Sequence, residues 1–195
     1  MISAIVLAAG QATRFGQCKQ VLRLGGKTIL DHALDNLRGS KVDAIVIVLG
    51  AHAEEIREKV RLLESDVERV VTNSDFASGM STSIQAGLRA LPESAEAAMI
   101  VLGDQPFVTP RTIDLLIDVY RRTQGSVIVP TYNGVRGNPV MIDRSLFGEM
   151  LGIRGDVGCR AIFGELADSI VKVPVDDRGV LIDIDTREDL DTLVG

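Results

Sequence analysis

Apolar residues along this chain follow two alternating rhythms. Ile2 to Leu7, Asp43 to Leu49 and Ala97 to Leu102 are near-continuous apolar runs, rich in branched side chains, and they predict buried strands. Between these runs, apolar residues recur at every third or fourth position. Ile56, Val60 and Leu63 share one face of a helix over Ala53 to Leu63, and Ile84, Leu88 and Leu91 share one face over Ser81 to Leu91. Helices are also expected over Thr28 to Leu37 and from Thr109-Pro110 to about Arg122, where Thr109 reads as an N-cap and Pro110 as the first helical residue. Val67 to Thr72 and Ser126 to Val129 read as shorter strands. After Pro130 the pattern loosens. Pro139 to Ile142, Ser169 to Val175 and Val180 to Ile184 are expected as short strands, and Gly155 to Leu166 as a helix after a glycine turn. This alternation predicts an α/β fold of three layers, α/β/α, with a mostly parallel central sheet and right-handed crossovers.

Composition narrows the picture. At 195 residues, without internal repeat or linker, the chain reads as a single domain over residues 1–195. Hydrophobic residues make up 46% but aromatic residues only 4%, so small aliphatic side chains must build the core, as in a parallel sheet covered by helices. The formal net charge of -6 argues against nucleic-acid or membrane binding through a basic face. It also means that an anionic substrate would need a few local cations or a metal ion. Cys18 and Cys159 form neither a C-x-x-C pair nor a zinc spacing, so a reducing cytoplasm is the expected home. Cys18 reads as a small residue in a crowded loop, reactive only if nearby cations lower its pKa. Neither His32 nor His52 stands in metal-ligand spacing, and both read as structural. The first strand opens at residue 2, so no leader is expected ahead of it, and no apolar run is long enough to span a bilayer.

Candidate chemistry begins where the first strand ends. Leu7-Ala8-Ala9-Gly10-Gln11-Ala12-Thr13-Arg14-Phe15-Gly16-Gln17-Cys18-Lys19 is a loop of small residues carrying one Arg and one Lys. Small residues leave backbone N–H groups uncovered for a phosphate, and Arg14 and Lys19 can neutralise the arriving charge. The dinucleotide fingerprint G-x-G-x-x-G is absent, and Lys19 lacks the Gly before it and the Ser or Thr after it that a Walker A loop needs. The plainer alternative is an ordinary turn with two solvated basic residues. The central strand ends in Gly103-Asp104-Gln105-Pro106, which puts a carboxylate in the crevice where open α/β sheets bind ligands. Asp104 is suited either to a Mg²⁺ ion or to capping the next turn. Alternation puts Asp183 and Asp185 on one face of a strand, ahead of a last helix that Asp185 or Thr186 caps. In Gly79-Met80-Ser81-Thr82-Ser83, Ser81 or Thr82 caps a helix, or the exposed helix start receives a base or ribose.

Together these segments resemble a known family. The pattern AAG-x-x-x-R-x-G-x-x-K is similar to the signature of the MobA-like NTP transferases, which have a Rossmann-like nucleotidyltransferase fold of the glycosyltransferase-A-like type. The resemblance implies that Leu7, Ala8, Ala9, Gly10, Arg14 and Lys19 wrap the triphosphate of an NTP, with Arg14, Lys19 and Asp104 as the catalytic groups. LGDQP resembles the LADQP and LCDQP segments of pterin nucleotidyltransferases, whose Asp is a metal ligand. The ending Asp183-Ile184-Asp185-Thr186-Arg187-Glu188-Asp189-Leu190 resembles D-x-D-T-P-E-D-L, with Arg187 in place of Pro. This implies a Mg²⁺ cofactor held by Asp104 and Asp185, with Asp183 as the fallback. Gly79, Ser81, Ser83, Gly87 and Leu88 match the G-x-S-x-S-x-x-x-G-L segment of cytidylyl-transferring members, which favours CTP over GTP.

On the acceptor side, Gly137-Asn138-Pro139-Val140 resembles G-x-P-V, and residues 155–160 resemble GD-x-G-A-R with Cys159 in place of Ala. Gln105, Gly137, Asn138, Pro139, Asp156 and Arg160 are the implied acceptor contacts, although a glycine turn and a capping Asp explain Asp156 as well. Five motifs stand in the family's order, with residues 1–130 as the NTP-binding half and 131–195 as the acceptor half. The molybdenum cofactor cytidylyltransferases match best. The resemblance thus implies CTP and the molybdenum-pterin phosphate as substrates, pyrophosphate as product, and transient contact with a molybdenum enzyme or its chaperone. Another NTP, a sugar or other small phosphate as acceptor, a non-catalytic cofactor-insertion factor and a dinucleotide-dependent oxidoreductase are the alternatives. Retention of Arg14, Lys19, Asp104 and Asp185 argues against loss of catalysis.

Overall fold

The computed structural model describes residues 1–11, 17–159, 164, 166, 169–184 and 189. Arg14, Arg160 and Asp185, with most of the expected last helix, lie outside them. Strand β1 (Ile2–Ala8) is the centre of the sheet, and its residues are buried on both faces apart from a partly exposed Leu7. Next come a small hairpin, β2 (Arg23–Leu24) and β3 (Lys27–Thr28), then helix α1 (Ile29–Arg38), β4 (Ala44–Leu49), α2 (Ala53–Lys59) and β5 (Glu68–Thr72). Helix α3 (Met80–Arg89), β6 (Ala97–Leu102), α4 (Pro110–Thr123), β7 (Val127–Tyr132), β8 (Val135–Arg136), β9 (Val140–Asp143), α5 (Phe147–Met150) and β10 (Ile170–Pro174) complete the described elements.

The main sheet has the order β10-β7-β9-β6-β1-β4-β5, with β8 paired to β7. Pairing is parallel from β6 through β1 and β4 to β5, in a register that sets Leu7 beside Leu102 and Ala8 beside Leu49. Strand β9 runs antiparallel between β6 and β7, with Met141 opposite both Met99 and Ile128. Alternate residues of β1 feed two cores. Ile2, Ala4 and Val6 meet Leu34 of α1, Ile56 of α2 and Leu116 of α4, whereas Ile5 meets Ile84 and Leu88 of α3. These are the three expected layers. Helix α3 lies so close to β1 that a Cβ on Gly87 would stand 2.3 Å from Ile5.

The topology also creates the crevice. From β1 the chain moves to β4 and β5 on one side, then crosses to β6 on the other. The strand order reverses at β1, and open α/β sheets bind ligands at such a point, outside the carboxyl ends of the strands; α1 and α4, which follow β1 and β6, both pack on one face of the sheet.

Four local expectations are corrected. Helix α2 stops at Lys59, because Asp31 accepts the Arg61 N–H and Glu68 accepts the Leu63 N–H. Leu63 is consequently 51% exposed rather than on the buried face. Strand β7 runs through Pro130 to Tyr132 and turns back through Asn133 and Gly134, both at positive φ. Residues 155–158 are bend and open chain, so the expected helix does not begin at Gly155. Where a strand over Val180 to Ile184 is expected, Arg178 to Leu181 form a 3-10 turn, initiated by the Asp177 side chain accepting from the Gly179 N–H.

Candidate active site

Gly103 lets β6 end hard against β1. Its N–H donates to the Leu7 carbonyl at 3.0 Å, and a Cβ there would stand 2.9 Å from the same oxygen. The next residue, Asp104, is therefore held at the mouth of the crevice. Lys19 reaches it from the far end of the first loop, where a 3-10 turn over Lys19–Val21 starts. Lys19 Nζ lies 2.5 Å from Asp104 Oδ2, and the side chains are only 14% and 19% exposed. The other oxygen, Asp104 Oδ1, is buried with no hydrogen-bond partner.

Asp183 arrives beside this pair. The Ile184 N–H donates to the Asp104 carbonyl at 3.1 Å, and the buried Gln105 amide donates to Asp183 Oδ1. Residues 183–184 are thus laid against residues 104–105, and the acidic ending is brought to the end of β6. A carboxylate with an unsatisfied buried oxygen, and a second carboxylate on the adjoining segment, form a donor set suited to a hard divalent cation. At the start of the same loop, Ala9 is buried, whereas Gly10 is exposed with open space over its Cα.

A cleft of about 1030 Å³ opens beside these groups. Leu102, Arg136, Asn138 and Asp183 line it together with Met80 and Asp156. Gly137 to Pro139 are anchored there by the Asn138 N–H, which donates to the Val180 carbonyl at 2.9 Å; the Asn138-Pro139 peptide is cis.

The start of α3 differs from both side-chain caps expected for it. Gly79 is the N-cap, at φ 109°, and no side chain caps the helix from that position. Thr82 Oγ1 instead donates back to the Gly79 carbonyl and accepts from the Asn73 amide. Asn73 Nδ2 also lies 3.0 Å from Ser83 Oγ, so the sequence reading missed a residue that positions both hydroxyls. Ser81 Oγ is buried without a partner. Asp156, one of the expected acceptor contacts, accepts from the Met80 N–H at 3.3 Å, while the Gly155 carbonyl accepts from the Ser81 N–H. The capping alternative describes this contact, except that the capped helix is α3, far away in sequence, and Asp156 still borders the cleft.

The remaining candidates separate clearly. Burial pushes the Cys18 thiol up, and burial pushes Cys159 up to about 12, so neither is an activated thiol. His32 is tied to the Leu24 carbonyl at 2.7 Å, in keeping with a structural role. His52 is not isolated as its sequence position suggests. The fold sets it beside Cys18 and Glu55.

With this geometry in place, comparison with known proteins identifies the family. Residues 4–170 match the MobA-like NTP transferase domain. The chain belongs to that family. It is a MobA-like nucleotidyltransferase, related to the molybdenum cofactor cytidylyltransferase of Escherichia coli, with which it is 27% identical over 98% of this chain and 94% of that protein. It is also 27% identical to the nicotine blue oxidoreductase of Paenarthrobacter nicotinovorans, over 97% of this chain and 94% of that protein. Among solved structures, Rv0371c from Mycobacterium tuberculosis superposes with a TM-score of 0.85 at 30% identity, covering 99% of this chain and 97% of that one. A manganese complex of Rv0371C, at 29% identity, superposes with a TM-score of 0.79, covering 99% of this chain and 97% of that one. Among the described residues, no helix is long and apolar enough to cross a membrane.

Proposed function

We propose that this MobA-like nucleotidyltransferase moves CMP from CTP to the phosphate of the molybdenum-pterin cofactor and releases pyrophosphate. The observation that carries the reading is the Lys19–Asp104 pair at the carboxyl ends of β1 and β6, with its unpartnered carboxylate oxygen. Both substrates are anions, so charge neutralisation and alignment are the main tasks of the protein. An oxygen of the acceptor phosphate attacks the α-phosphorus in line, and the bond from that phosphorus to the departing pyrophosphate breaks. Lys19 and Arg14 take the β- and γ-phosphates. When the Lys19 ammonium turns to the triphosphate, Asp104 is released to bind a cation. Mg²⁺ held by Asp104 and Asp185, with Asp183 as the alternative second carboxylate, would supply charge stabilisation to the reacting phosphate oxygens.

In this reading Leu7 to Gly10 line the triphosphate with backbone, and Gly79, Ser81 and Ser83 border the cytosine nucleoside. Gln105, Gly137, Asn138, Pro139, Asp156 and Arg160 border the acceptor. Residues 1–130 and 131–195 then act as donor and acceptor halves of one domain, in a cytoplasmic enzyme that hands its product to a molybdenum enzyme or its chaperone.

A second reading is an oxidoreductase acting on a small molecule, favoured by the likeness to nicotine blue oxidoreductase. One experiment separates the two. Pyrophosphate release is measured with each NTP and Mg²⁺, with and without the pterin, alongside oxidation of NADH and NADPH in the presence of a quinone-type dye as electron acceptor. Release from CTP that requires the pterin is the expected result. Absence of release with every NTP would overturn the transferase reading, and steady oxidation of a nicotinamide nucleotide would favour the second.

A further inference from the structure

Outside the cleft, the first loop and the start of α2 meet at a mixed cluster. Cys18 Sγ, a ring nitrogen of His52 and a carboxylate oxygen of Glu55 all lie within 4.8 Å of one another. Cys18 immediately precedes Lys19. His52 is the N-cap of α2, and Glu55 lies in its first turn. His52 Nε2 is 3.3 Å from the Gln11 carbonyl, and in the tautomer that donates to that oxygen the Nδ1 lone pair turns to Glu55. Nδ1 and Glu55 Oε2 are 3.8 Å apart, too far for a hydrogen bond. Glu55 uses its other oxygen, Oε1, to accept from Lys59 at 2.8 Å. One sulfur, one nitrogen and one oxygen donor therefore converge on a common space.

We propose that Cys18, His52 and Glu55 form a Zn²⁺ site at the base of the first loop, separate from the cation site at Asp104. Zinc takes thiolate, imidazole and carboxylate at about 2.0–2.3 Å, which places neighbouring ligand atoms roughly 3.3–3.7 Å apart. The imidazole–carboxylate spacing of 3.8 Å lies just above that range, and small rotations of the partly exposed His52 and Glu55 close it and bring their atoms to the sulfur. A water completes the tetrahedron. The Gln11 carbonyl orients the His52 ring, as outer-shell acceptors do in established zinc sites. Binding converts the Cys18 thiol to a thiolate and releases its proton to solvent. Cys18 now donates to Gln20 Oε1 at 3.4 Å, and after proton loss a flip of the Gln20 amide presents an N–H to the sulfur. Thiolate and imidazole donors also discriminate against Mg²⁺, which prefers oxygen ligands. An ion here joins Cys18, the residue before Lys19, to the start of α2.

The test is a Co²⁺ titration of chelator-treated full-length protein, read as a thiolate-to-cobalt charge-transfer band. The wild type is expected to show the band at one equivalent, Zn²⁺ to bleach it, and excess Mg²⁺ to leave it. Asp104→Asn is expected to retain the band, whereas Cys18→Ser and His52→Ala lose it. Zn²⁺ is also expected to raise the melting temperature of the wild type but not of these two variants. Absence of a thiolate band in the wild type, or its persistence in Cys18→Ser, overturns the proposal. If Cys18→Ser does not fold, the partly exposed His52→Ala decides: a band unchanged in that variant also overturns it. No nucleotide enters this experiment, so its outcome is independent of the transferase reading.

Discussion

The Lys19–Asp104 pair shows what one residue can do at the end of a parallel strand. The ammonium lies on one oxygen of Asp104 and leaves the other buried and unpartnered, an arrangement that favours a cation with vacant coordination sites. Converting Asp104 to Asn keeps the shape and removes the charge. Asp104→Asn is expected to lower pyrophosphate release by about 10²–10³-fold, with an unchanged circular dichroism spectrum. Lys19→Ala is expected to act mainly on binding, raising the KM for NTP by about 10–100-fold, the loss of one charge-assisted contact of roughly 1.5–3 kcal/mol. Steady-state kinetics with varied NTP separates the two effects. The position of Asp104 was legible, because a glycine and an acid after an apolar strand mark the crevice of an open sheet. Its pairing with Lys19 was not, because that depends on how the first loop folds back.

At the scale of elements, the start of α3 carries the most information. Gly79 adopts φ 109° and ψ 172°, a conformation open in practice only to glycine, and a Cβ there would meet the Gly155 carbonyl at 2.5 Å. This close approach lets residues 155–156 cover the helix start. Gly79→Ala is expected to cost about 1–3 kcal/mol in urea unfolding, through backbone strain and displacement of that segment. The sequence signalled a helix start and small residues here, but it pointed to Ser81 or Thr82 as the cap. The side chain that serves the α3 N-terminus comes from Asp156 instead. A similar override ends α2 early, where Asp31 and Glu68 accept the backbone N–H groups of Arg61 and Leu63.

At the scale of the whole molecule, Asp177 joins α4 to the segment that carries Asp183 into the site. It accepts from Thr109 N at 3.0 Å, Thr109 Oγ1 at 2.8 Å, Thr112 Oγ1 at 2.6 Å and Gly179 N at 2.9 Å. Burial opposes its charge, but the donors from Thr112, Thr109 and Gly179 outweigh burial and keep the carboxyl below its ordinary value. A lowered pKa in the folded state contributes stability that is present above the unfolded-state value and is lost as pH falls through the folded one. Unfolding free energy is therefore expected to decline as pH drops below about 4, the unfolded carboxylate range. Asp177→Asn is expected to be less stable at pH 7, by about 1–3 kcal/mol, and to show a shallower decline. Urea denaturation between neutral and acid pH measures both. By itself, the sequence determined the strand and helix pattern, the layered α/β class and the residues worth watching, because period, turn chemistry and short motifs are local properties. Only the tertiary structure decided which of them meet: Lys19 with Asp104, Gln105 with Asp183, Asp156 with the start of α3, and Cys18 with His52 and Glu55. Those meetings follow from strand order, a crossover and side-chain direction, which bring distant segments together and leave no mark in any single stretch of sequence.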